Sequence, residues 1–153
     1  MNIFTQNKNL FIYNIFTLFA LAFLVRCIYL ILLNPSSEKL IEDELLYWNA
    51  SHIYLDTGFL EESILAERMF GIFIYIKMLL ILSLKNLKIY LTLQSALDSI
   101  NCFTIYKIGS LMFPKQKLYI YLSAMLSPLM IILSSQVLSE TIFLLFFTLF
   151  LYF

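Results

Sequence analysis

The chain has 153 residues, of which 61% are hydrophobic and 13% charged, and its formal net charge is zero. A mean hydropathy of +0.87 exceeds what a soluble domain of this size can bury, so a bilayer is the expected solvent and a soluble globular fold is excluded. The ten basic residues are scattered without a basic stripe, which argues against a nucleic-acid partner.

In chain order, a polar start with Lys8 leads into an apolar run over residues 10–33. This run is too long for the h-region of a signal peptide and is read as a retained transmembrane helix. Asn34-Pro35-Ser36-Ser37 ends it, because Pro35 disfavours helix at the residue before it. Residues 34–68 then hold eight of the ten acidic residues beside only Lys39 and Arg68. By the positive-inside rule this acidic loop lies outside. Within it, residues 40–55 read as an amphipathic surface helix, with Ile41, Leu45, Trp48, Ile53 and Tyr54 on one side and Glu42, Asp43, Asn49 and Asp56 on the other.

The run 69–84 is short and carries Lys77, so it is expected to lie in the interface or to be a short crossing. Transmembrane helices are expected over 87–113 and 118–133, with Pro114-Lys115-Gln116-Lys117 between them. A last apolar run, 141–153, stops without a polar flank and reads as a truncated helix. Parity favours an interfacial 69–84, because Lys115 and Lys117 then fall inside while Glu140 shares the outer face with Asp43 and Glu44. The expected fold is an all-α polytopic membrane protein of about four transmembrane helices, with interfacial helices in a large external first loop. Cys27 and Cys102 fall in apolar runs and read as small apolar side chains, with neither a disulfide nor a metal site.

Several polar residues carry possible chemistry. Asp43 and Glu44 stand at the water–lipid boundary, either as a general base or as the solvated face of a surface helix. Arg26 in the first apolar helix faces a cavity, a partner or the headgroups. Glu140 either completes a pocket from the second loop or favours the positive end of the last helix. His52, one turn beyond Trp48, reads as an interfacial side chain before a ligand or base. Asp98, Asn101 and Lys107 within one crossing form either an ion path or an interhelical hydrogen-bonding patch.

Four stretches together resemble the GT-C class of integral membrane glycosyltransferases, in its bacterial branch related to protein O-mannosyltransferases and lipid A aminoarabinose transferases. They are Arg26 to Tyr29 followed by Asp43-Glu44-x-x-Tyr47-x-x-Ala50; Ala66-Glu67-Arg68-Met69-Phe70-Gly71; Tyr106-Lys107-Ile108-Gly109 through Pro114 to Ser127-Pro128; and Ser135 to Glu140. Phe70 stands where that family usually has proline, and residues 91–93 lack an arginine often found there. By this resemblance the chain would correspond to the N-terminal part of such a fold.

The resemblance implies transfer of a sugar, with inversion, from a polyprenyl-phosphate donor to a lipid, glycan or protein acceptor outside the bacterial inner (plasma) membrane. Asp43 would be the base, helped by Glu44 and Glu140, while Arg26, Arg68 and Tyr47 would bind substrate. Glu67 would be the place of a divalent metal ion, the one cofactor the resemblance suggests, although a single glutamate makes no metal site. The alternatives are a transporter or channel subunit with Asp98, Lys107 and Arg26 along its path, or a non-catalytic membrane assembly protein. The transferase reading requires Asp43, Glu140 and one of Arg26 or Arg68 to converge on one face.

Overall fold

The computed structural model describes residues 3–32, 40, 43–62, 64 and 70–153, with side chains from residue 15 onward. These residues form seven helices and no strand: α1 (Ile3–Leu32), α2 (Asp43–Thr57), α3 (Phe70–Leu82), α4 (Leu87–Met112), α5 (Lys117–Met125), α6 (Pro128–Ser134) and α7 (Glu140–Tyr152). Helix α4 is the central element, packed against α1, α5 and α7 along its length and against α3 and α6 more briefly, while α2 lies on α3.

Side-chain pairs fix the directions. Gly109 of α4 meets Ile120, and Ser95, fourteen residues earlier, reaches the Ser134 carbonyl, so α5 and α6 run antiparallel to α4. Gln94 donates to Thr141 and Thr148 donates to Asn101, so α7 runs parallel to α4. Arg26 meets Asp98 while the Leu18 carbonyl accepts from Tyr121, so α1 is antiparallel to α4. One end of the bundle therefore gathers the end of α1, all of α2 and α3, the start of α4 and the turn between α6 and α7.

Local sequence explains the breaks. Asn86 caps α4, its side-chain oxygen accepting from the backbone N–H groups of Lys88 at 3.0 Å and Ile89 at 3.2 Å. Just before it, α3 ends with Leu84 at φ 52° and Lys85 at φ 60°. The Lys85 N–H bonds back to the Leu80 carbonyl and the Leu84 N–H to that of Ile81, a Schellman ending without the usual glycine. The expected single helix over 118–133 is instead two helices bent by 49°, because Pro128 opens α6 and holds Ser127 in an extended conformation.

Among the described residues, only the window Ile15–Leu32 of α1 is, on its own, long and apolar enough to cross a membrane. Counting α3 with α4, and α5 with α6, as bent single spans raises the number to three, so the expected four crossings are met in part. Helix α4 has the length, but its inward side is polar, with Gln94, Ser95, Asp98, Ser99, Asn101 and Thr104 buried. Helix α3 turns away from α4 by 116°. Its 13 residues extend about 20 Å, short of a hydrocarbon core roughly 30 Å thick.

The core divides in two. Near the gathered end, Tyr47 and Ala50 of α2 pack with Phe73, Ile76, Leu79 and Leu80 of α3, Tyr90 and Leu91 of α4, and Val137. Deeper in the bundle, Ala22, Cys102, Tyr121, Ala124 and Met125 close around α1, α4 and α5.

Candidate functional site

Helix α2 buries only part of the face that hydropathy assigns to it: Trp48 and Tyr54 pack against the core. Leu45 and Ile53 are 46% and 51% exposed, whereas Glu44, Tyr47, Ala50 and Ser51 are buried. Two anchors set this rotation. The Tyr47 ring packs on Phe73 with centroids 5.8 Å apart. Glu44, only 4% exposed, accepts a hydrogen bond from the Val137 backbone N–H at 3.2 Å. Leu45 and Ile53, eight residues apart, are left on the outward side of the helix.

The turn that Glu44 holds is clamped from the other side by α4. Gln94 Nε2 donates to the Gln136 carbonyl and, at 3.2 Å, to the Leu133 carbonyl. Residues 93 and 42 positions apart in sequence are thus fixed around one short segment, Ser135–Ser139, which leads directly into Glu140 at the start of α7. The structure brings together Glu44, Tyr47 and the approach to Glu140, with Asp43 exposed on the first turn of α2. Glu140 Oε2 is buried and has no hydrogen-bond partner among the described residues.

Arg26 is not brought to this end. It is 1% exposed and sits inside the bundle, with Nε 2.6 Å from Asp98 Oδ2. Nη1 donates to the Ala22 and Met125 carbonyls at 3.0 and 3.2 Å, and Nη2 lies 2.9 Å from Cys102 Sγ. Asp98 Oδ1 accepts from Asn101 at 3.5 Å, and Asn101 Oδ1 accepts from Thr148 at 2.6 Å. This chain of contacts ties α1, α4, α5 and α7 together one helical turn deeper than Gln94. Lys107 stands apart from it, with its ammonium 5.4 Å from the centre of the Phe103 ring. Cations expected at a phosphate-binding surface are therefore not supplied by Arg26; Arg68, like Glu67, lies outside the described residues.

Sequence reasoning missed two lysine contacts that hold α2 in place. Lys77, in the middle of α3, places its ammonium 4.0 Å from the centre of the Tyr54 ring and reaches the Tyr54 carbonyl at 3.5 Å. Such a contact shelters the charge at the cost of little desolvation. Lys85 pairs with Asp56 at 2.7 Å on the surface, and this hydrogen bond holds the Asp56 carboxyl below the usual carboxylate range. His52 packs against Trp48 with ring centroids 4.8 Å apart. Burial, and then the nearby Lys85 charge, push the imidazole pKa down, so it stands neutral near pH 7.

Among the described residues, no three His, Cys, Asp or Glu side chains gather as a metal site would require. No family model matches this chain, and no curated protein or solved structure is significantly similar to it. The chemistry of the site must be argued from its own residues.

Proposed function

We propose that this chain belongs to an integral membrane glycosyltransferase that moves a sugar from a polyprenyl-phosphate donor to an acceptor hydroxyl at the external membrane face. The observation that carries the reading is the bond from the Val137 N–H to Glu44, which seats the first-loop helix on the turn entering Glu140. The acidic residues of both segments thereby share one end of the bundle.

In this reading α3 lies along the interface, and Lys115 and Lys117, at the far end of α4, are cytoplasmic. Asp43 takes the proton of the acceptor hydroxyl while its oxygen attacks the anomeric carbon. The bond from that carbon to the phosphate oxygen breaks with inversion, and the polyprenyl phosphate leaves with the electron pair. A positioned base contributes roughly 10² to 10⁴-fold to such a step. Glu44, engaged with the Val137 amide, orients the first turn of α2. Charge on the leaving phosphate falls to Arg68, because the Arg26 guanidinium is committed to Asp98.

The test is transfer of labelled sugar from a polyprenyl-phosphate donor in membranes containing the full-length protein, comparing Asp43→Asn with wild type. A loss of 10²-fold or more is expected. Undiminished transfer by the variant removes Asp43 from the mechanism.

A further inference from the structure

We propose that the cleft between α3 and α7 binds a single-chain amphiphile bearing an amine, with its ammonium on Glu140 and its hydrocarbon chain between the two helices. The cleft has a volume of about 360 Å³, within the range of roughly 300 to 1,000 Å³ typical of small-molecule sites. This inference rests on the geometry of the cleft and is independent of the transferase reading.

Two features specify the occupant. First, the lining is apolar apart from a few groups: Ile72, Phe143 and Phe146 supply most of the wall, with Tyr75 and Glu140 among them. Phe143 and Phe146 are also largely exposed on the outer surface, so the mouth opens onto the apolar side of the bundle, where lipid chains are the natural neighbours. Second, Glu140 Oε2 and the Tyr75 hydroxyl are both buried without a hydrogen-bond partner among the described residues. A buried carboxylate oxygen left unmet is costly, and an ammonium in the cleft offers Glu140 a charge-assisted bond. A fatty acid or a phosphate head would instead set like charge against Glu140. The cleft also has unused room at Gly71, where a Cβ would meet nothing within 4 Å.

The experiment uses the full chain in lipid nanodiscs and three diazirine-bearing probes of equal length: a long-chain amine, the corresponding acid and the corresponding alcohol. Photolabelled residues are mapped by mass spectrometry and apparent affinities are read from the dose dependence. The amine is expected to label Ile72, Phe143 or Phe146 with at least about tenfold higher affinity than the acid, the value of one charge-assisted hydrogen bond. Glu140→Gln should remove that preference, and Gly71→Leu, which fills the cleft, should weaken all three probes. Equal labelling by amine and acid in the wild type overturns the proposal, and that comparison needs no variant to fold. Absence of label from the cleft overturns it as well, since another segment or a second copy then covers the surface.

Discussion

Arg26 on α1 and Asp98 on α4 form an ion pair with Nε 2.6 Å from Oδ2, their side chains 0% and 2% exposed. The remaining guanidinium nitrogens are used by two carbonyls and a thiol, so the charge is both neutralised and fully solvated by protein. Such a pair is costly to break singly and cheap to replace as a whole.

Removing one partner, in Arg26→Leu or Asp98→Leu, should therefore lower stability by about 3 to 5 kcal/mol. The double variant should recover most of that loss. Unfolding of the detergent-solubilised protein measures all three, and a double variant as unstable as the sum of the singles would show that the two residues act independently.

Glu44→Ala should leave the Val137 amide without its acceptor, at a cost of about 1 to 3 kcal/mol. Glu44→Gln keeps an oxygen in place and should lose less. Hydrogen exchange at Val137 provides a local readout: exchange should accelerate strongly in the alanine variant and little in the glutamine one.

Stability should fall on mild acidification because of His52. Its folded pKa lies below the ordinary value of 6.5, with burial as the main cause. The unfolded chain therefore takes up the proton first, and stability is lost as pH drops below about 6.5. His52→Gln should flatten the curve between pH 7.5 and 5.5. Asp56 acts in a separate window: its depressed pKa gives stability above the ordinary 3.8 that is lost as pH falls through the lower folded value. Because the Lys85 pair is open to solvent, salt should erase that second effect.

Gly109→Ala should push α4 away from α5, since the added Cβ would stand 2.9 Å from Ile120 Cδ1 and 3.3 Å from its Cβ. Overpacking of this kind costs about 1 to 3 kcal/mol, against a gain of roughly 1 kcal/mol from the better helix former. Adding Ile120→Val removes the 2.9 Å contact with Cδ1, while Cγ2 at 3.0 Å remains; this partial relief should leave the double variant more stable than Gly109→Ala, which thermal unfolding would show.

The helices themselves were legible because breakers are written into the chain: Asn86 before α4, Pro114 after it, and Pro128 at α6. The bend at Pro128 was visible as a residue and missed as an interruption, since an apolar run on both sides reads as one crossing. The rotation of α2 was hidden for another reason. Hydropathy assigns Leu45 inward, but the burial of Glu44 depends on a backbone amide 93 positions later. The same holds for Arg26, read in the first apolar helix as facing a cavity, a partner or the headgroups, because its partner stands 72 positions later. A usable signal existed: the one arginine of the first apolar run and the one acidic residue of the run 87–113 each meet a large penalty unless they find a partner.

That pairing also imposes an order on synthesis. Asp98 follows Arg26 by 72 positions, a delay on the order of ten seconds at ordinary translation rates. During that interval α1 carries a guanidinium without its eventual counter-ion, costly at the centre of a bilayer. The packing of α1 is completed only when α4 arrives to supply Asp98.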